Sequence, residues 1–181
     1  MLAVLVSAAV VFCGCKKSGG ADSNSPAPQR QFTIGMSQCN LGEPWRVQMN
    51  ADLAAAAAKH PELKVVFKDA QNDTLRQRAQ IEEFVSAKVD LLVVSPKESQ
   101  PLAEPIARVL EAGIPVIVLD RRVLGDKYTC FIGGDNVKIG NEAGKYMVKL
   151  LGGKVNVVEL QGLMTSVSSS ALPRMELPFR V

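Results

Sequence analysis

Histidine is nearly missing from this chain: among 181 residues only His60 carries an imidazole. A lone histidine removes the paired spacings of zinc sites. It also lies just before Pro61, at an expected helix end, which is no place for the base of a Ser-His-Asp arrangement. No G-x-S-x-G elbow occurs, so a hydrolase nucleophile has no seat. Aromatic residues make up only 5%, and tryptophan occurs once, as Trp45. The net charge is +3 with Lys and Arg scattered, too weak for a nucleic-acid surface. A glycine-rich phosphate loop is absent as well: the segment after the first expected strand reads Gly42-Glu43-Pro44. Together these absences exclude the familiar enzyme types, a metal site, a cofactor and a nucleic-acid partner. Non-covalent binding is the activity left to look for.

Charge is missing at the front too. Residues 1–15 hold no charged side chain and are apolar almost throughout from Leu2 to Phe12. As a helix that run would rise only about 20 Å, short of the roughly 30 Å hydrocarbon core, so it reads as the apolar region of an export signal. It ends Phe12-Cys13-Gly14-Cys15-Lys16-Lys17, which resembles the lipobox of bacterial lipoproteins. Cys15 follows a small residue and fits the acylated position better than Cys13, which follows bulky Phe12. The expected location is the periplasm or cell envelope, with a lipid anchor as the only membrane contact. Residues 16–30 are rich in Ser, Gly, Ala, Pro and Asn and suit a flexible tether.

About 150 residues then remain, enough for one sizeable core. The domain keeps two cysteines, Cys39 and Cys130; export permits a disulfide between them, and the sequence leaves open whether they meet. Strand-like runs fall at 32–36, 63–67, 90–94, 115–119, 129–132 and 155–160. Most are rich in Val, Ile and Leu without polar alternation, as in strands buried on both faces. Helical stretches lie between them. Pro44 suits a first turn leading into 45–59, which Pro61 stops. Asp73 or Thr74 can cap a second helix, with Ile81, Phe84 and Val85 on one face. A third spans 101–112, and a fourth spans 139–151 before Gly152-Gly153. Strand and helix alternating in this way mean βαβ units, an α/β fold with a doubly wound parallel sheet.

In such sheets ligands bind beyond the carboxyl ends of the strands. That rule selects Ser37, Gln38, Asn40, Glu43, Trp45 and Arg46 after the first strand. It adds Ser95 and Lys97 after the third, then Asp120, Arg121 and Arg122 after the fourth. One indole, several hydrogen-bonding groups and a carboxylate beside guanidiniums suit a sugar ring. The C–H face of the sugar packs on an aromatic plane, and its hydroxyls need donors and acceptors that engage neighbouring oxygens. Asp69, Gln71 and Asn72, after the second strand, are expected to shape a turn instead.

Several stretches resemble the periplasmic sugar-binding proteins related to ribose-binding protein, a type I periplasmic-binding fold. They are Phe32-Thr33-Ile34-Gly35-Met36-Ser37, Pro44-Trp45-Arg46, Ile114 through Arg121, Ile132-Gly133-Gly134-Asp135-Asn136, and Val157 through Gly162. The resemblance implies two α/β lobes that close on one monosaccharide, a pentose or hexose, and deliver it to an ABC permease. The expected state is a monomer. It places Trp45 against the sugar ring, Arg46 on ring hydroxyls as in the galactofuranose-binding branch, and Asp120 with Arg121 as an acceptor–donor pair on adjacent hydroxyls. Asp135 and Asn136 match the first hinge crossing. Residues 31–134 would then form the N-terminal lobe and 135–181 the start of a second lobe.

Relatives continue for roughly another hundred residues, within the usual size of a further domain. The polypeptide as written is therefore expected to bind sugar feebly or not at all, because one lobe leaves the ligand half solvated. A periplasmic sensor coupled to a chemoreceptor or histidine kinase is the alternative, since both use the same lobes. The effector domain of a lac-repressor-type regulator is set aside: those proteins begin with a helix-turn-helix where this chain has an apolar leader.

Overall fold

The computed structural model describes residues 30–152 and Val158. The leader with Cys15, most of the tether and, apart from Val158, the expected strand at 155–160 lie outside the described residues.

The alternation of apolar runs and helices folds as a parallel sheet. Its strands are β1 (Phe32–Gln38), β2 (Leu63–Asp69), β3 (Leu91–Ser95), β4 (Val116–Leu119) and β5 (Cys130–Ile132). The strand order is β2-β1-β3-β4-β5, every neighbouring pair parallel. The helices are α1 (Pro44–Ala57), α2 (Thr74–Ser86), α3 (Ser99–Glu111) and α4 (Asn136–Leu151). The α/β expectation therefore holds, with boundaries that move for physical reasons. β1 and β2 each run two residues past their apolar stretches, pairing Ser37 with Lys68 and Gln38 with Asp69. The ladder tolerates polar residues there because helices on either face supply partners for their side chains. Burial on both faces holds for β1 and β3 but not for β2 or β5, which are the sheet's edges.

The two faces are filled unequally. α2 and α3 cover one face, where Ile81, Phe84, Leu102, Ile106 and Val109 pack on Leu92, Val94, Val116 and Val118. Gly35 is required there: a Cβ on it would stand 2.7 Å from the Phe84 ring. Among the described residues, the opposite face has a smaller apolar cluster of Ile34, Met36 and Val93, packed against Met49 and Leu53 of α1. The helix signals behave as expected. Pro44 opens α1, and the Asp73 carboxylate accepts from the Arg76 N–H at 3.0 Å to cap α2. Gly152 closes α4 in the left-handed conformation, φ 68°. α4 buries none of its residues, leaving Ile139, Tyr146 and Leu150 well exposed. Among the described residues, no helix is long and apolar enough to cross a membrane.

Cys39 and Cys130 are both free. Cys39 follows the carboxyl end of β1, while Cys130 opens β5, three strands away. Three strand spacings are about 14 Å, double the Cα separation a disulfide tolerates. The pairing left open by the sequence is excluded by topology.

Candidate functional site

The strand order reverses direction between β1 and β3, which is where a doubly wound sheet opens a crevice at its carboxyl edge. Gln38 and Ser95 are paired across that point and end their strands there. Arg46, in the first turn of α1, reaches over both. Its Nη1 donates to Gln38 Oε1 and to Ser95 Oγ, each at 3.0 Å. Its Nε donates to Glu43 Oε2 at 3.0 Å, and its Nη2 approaches Asp120 Oδ2 at 3.5 Å. The guanidinium is also stacked 4.0 Å from the Trp45 ring centroid. Arg46 is completely buried, the only buried residue of α1. A buried arginine is tolerable only when its nitrogens find partners, and each of the three does here.

Asp120 is presented by backbone geometry. Its φ is 68°, a conformation that aspartate tolerates better than most residues, and its N–H donates to the Ile132 carbonyl at 2.8 Å. Gly133 lets the next connection run close by: a Cβ on it would stand 2.9 Å from the Asp120 carbonyl oxygen. The carboxylate is one-third exposed and held only loosely, with Arg46 Nη2 at 3.5 Å and Arg121 Nε at 3.7 Å. Arg121 Nη1 donates to the Lys97 carbonyl at 3.3 Å. Trp45 is 45% exposed, and with Arg46 on one face only its other face can receive a ligand.

Trp45, Arg46, Asp120 and Arg121 thus come together at one edge, as the sequence predicts. Within this cluster the Arg46 guanidinium rests on Gln38, Ser95 and Glu43, with Trp45 and Asp120 beside it. Asp135 and Asn136 stand at the start of α4, where Asp135 Oδ1 accepts from the Lys138 N–H at 3.0 Å. Asp69 accepts from the Gln71 N–H at 2.8 Å, and Gln71 and Asn72 have positive φ, the turn expected there. Cys39 lines the same edge. Burial pushes its thiol above its ordinary range, and the Arg46 and Arg121 guanidiniums offset that only in part.

Two residues escaped the sequence reading. Gln77 and Gln80 of α2 are buried and contact the ends of β1, β2 and β3. Their signal was positional: they occupy the same helical stripe as Ile81 and Phe84, where an amide must find partners.

The charges of the cluster cancel. Arg46, Arg121 and Lys97 face Glu43, Asp120 and Glu98. Among the described residues, no group of His, Cys, Asp and Glu could hold a metal ion.

Residues 34–172 match the family described as periplasmic binding protein domain. The chain belongs to that family. It is 29% identical over 151 residues to the ribose import binding protein of Bacillus subtilis, and 30% identical over 162 residues to that of Escherichia coli. These alignments cover 83% and 90% of this chain but 49% and 51% of the relatives, so the chain spans about half their length. Among solved structures it resembles the fructose-binding periplasmic domain of a hybrid two-component system, with TM-score 0.74 and 37% identity. That match covers 77% of this chain and 46% of the other. A solute-binding protein of an ABC transporter from Bacillus halodurans, solved with myo-inositol, also gives TM-score 0.74, at 30% identity, covering 80% and 50%. The family's members are periplasmic sugar-binding proteins rather than enzymes, and the sheet described above is the type I periplasmic-binding fold in part.

Proposed function

We propose that residues 31–134 form the sugar-binding lobe of the substrate-binding component of an ABC-type sugar importer. Its ligand is a neutral monosaccharide. The observation that carries this reading is the charge-balanced edge at the strand reversal: a loosely held, part-exposed Asp120 carboxylate beside Arg121 and a half-exposed indole. A carboxylate with unspent lone pairs accepts from two adjacent hydroxyls, the guanidinium donates to their neighbours, and the indole takes the C–H face of the ring. Arg46 holds this arrangement from below. Residues 135–181 begin a second lobe, a division supported by α4, which buries nothing against the sheet. Cys15 carries the lipid anchor that keeps the protein at the envelope, and acyl-chain labelling lost in Cys15→Ser tests that assignment.

Titration calorimetry of the chain from Lys16 onward with ribose, galactose, xylose and myo-inositol tests the binding claim. Weak, saturable heat with one sugar, on the order of a millimolar Kd, is expected for a single lobe. Loss of that heat in Asp120→Asn ties it to this edge, whereas heat unchanged in Asp120→Asn contradicts the assignment.

A second reading is favoured by one observation: the 37% identical structure is the periplasmic domain of a sensor. Deleting the gene separates the two. A transport component loses uptake of labelled sugar, while a sensor loses the transcriptional response with uptake machinery intact.

A further inference from the structure

Gln77 lies on α2, behind the edge just described, and is fully buried. One side-chain amide there makes three bonds. Its Nε2 donates to the Ser95 carbonyl at 2.9 Å and to Ser37 Oγ at 3.3 Å, and its Oε1 accepts from the Lys97 N–H at 2.9 Å. Ser37 Oγ passes the chain on to Gln80 Oε1 at 3.1 Å, and Gln80 Nε2 donates to the Asp69 carbonyl at 2.8 Å. The bonds therefore run in one direction across the ends of β3, β1 and β2, an arrangement in which each donor polarises the next.

The other sides of the same residues face the ligand edge. Ser95, clamped at its carbonyl by Gln77, receives Arg46 Nη1 on its hydroxyl. Lys97, clamped at its N–H by Gln77, receives Arg121 Nη1 on its carbonyl. One amide thus holds the residue that supplies one acceptor to each guanidinium, Ser95 for Arg46 and Lys97 for Arg121, and Arg46 in turn stacks on Trp45. We propose that Gln77 is a positioning residue for the sugar site, setting the places of Arg46 and Arg121 without touching the ligand. This rests on the sugar-binding reading for its purpose but not for its geometry.

Trp45 is the only tryptophan, so intrinsic fluorescence reports on this edge directly. The test compares the full chain with Gln77→Met, Gln77→Glu and, as a core control on α3, Val109→Ala. Gln77→Met loses all three bonds; Gln77→Glu keeps the acceptor for Lys97 N–H but loses both donors. Both are expected to red-shift Trp45 emission and raise its quenching by acrylamide. Val109→Ala lowers the unfolding midpoint but leaves Trp45 emission unmoved. Where the wild-type chain binds one of the four sugars, Gln77→Met weakens it about tenfold while Val109→Ala does not. If Gln77→Glu fails to fold because it buries a carboxylate, Gln77→Met decides alone. Trp45 signals in the Gln77 variants that match Val109→Ala overturn the proposal. A wild-type chain that binds no sugar overturns the functional reading, and the fluorescence still decides whether Gln77 positions Arg46.

Discussion

The two faces of the sheet divide the labour between them. Among the described residues, twelve apolar side chains are buried in one continuous cluster on the α2–α3 face, whereas the α1 face holds three. α1 is fastened differently: its only buried side chain is a charged one, Arg46, bound to Gln38, Ser95, Glu43 and Asp120. Apolar burial is non-directional and contributes in proportion to area, so the first face supplies stability. Hydrogen bonds and ion pairs are directional, so the second face supplies orientation. Where a fold secures a helix chiefly through a satisfied arginine, the atoms around that arginine are set closely enough to recognise a ligand.

This contrast can be broken most sharply at Phe84. Truncation to alanine should cost about 3–5 kcal/mol of unfolding free energy, read by urea denaturation, because the ring fills the space between α2 and Gly35. Arg46→Met should cost less, because Met keeps the apolar contact and the freed Glu43 and Asp120 carboxylates reach water, yet abolish measurable sugar binding. A loss of stability in Arg46→Met exceeding that of Phe84→Ala would reverse the roles assigned to the two faces. Asp120→Asn sits lower again: its ion pairs are long and part-solvated, so stability should change by under about 1 kcal/mol while affinity falls tenfold or more. Gly133→Ala sharpens the same point from the backbone, since the added Cβ crowds the Asp120 carbonyl and should weaken binding with Asp120 itself intact.

The smallest expected effect is electrostatic. The Asp73 carboxyl is held below its ordinary range first by the Arg76 N–H, and Asp90 first by the Thr33 N–H and then by Arg30. Both pKa values are depressed on folding. The stability they contribute is therefore present above the ordinary carboxylate range, about pH 4, and is lost as pH falls through their lowered values. In a Asp73→Asn, Asp90→Asn double variant the acid limb of a denaturation-against-pH curve should be flatter; an unchanged limb would assign acid unfolding to other carboxyls.

The stability face was far easier to read than the ligand face. Ile81, Phe84 and Val85 announced their common side by spacing alone, and the Val-rich runs of β3 and β4 needed no context to be read as interior strands. Trp45 and the Asp120-Arg121 pair were visible because rare or charged residues fell at strand ends. The protein contacts of Arg46 were not legible, because Gln38 and Ser95 stand side by side only after β1 and β3 pair. The same holds for Gln77 and Gln80: their partners are Ser37, Asp69, Ser95 and Lys97, distant in sequence and brought within reach only by the crossovers. The edges β2 and β5 read as buried strands because Val and Leu content reports apolarity, not position within the sheet.

The most direct measurement is a Trp45 fluorescence titration of the chain from Lys16 with ribose, galactose, xylose and myo-inositol, run beside Asp120→Asn. A saturable change with at least one sugar, lost in Asp120→Asn, is the result expected of a ligand edge built from Trp45, Arg46, Asp120 and Arg121. No change with any of them up to tens of millimolar (about ten times the Kd expected of one lobe), or a change that survives in Asp120→Asn, would contradict it.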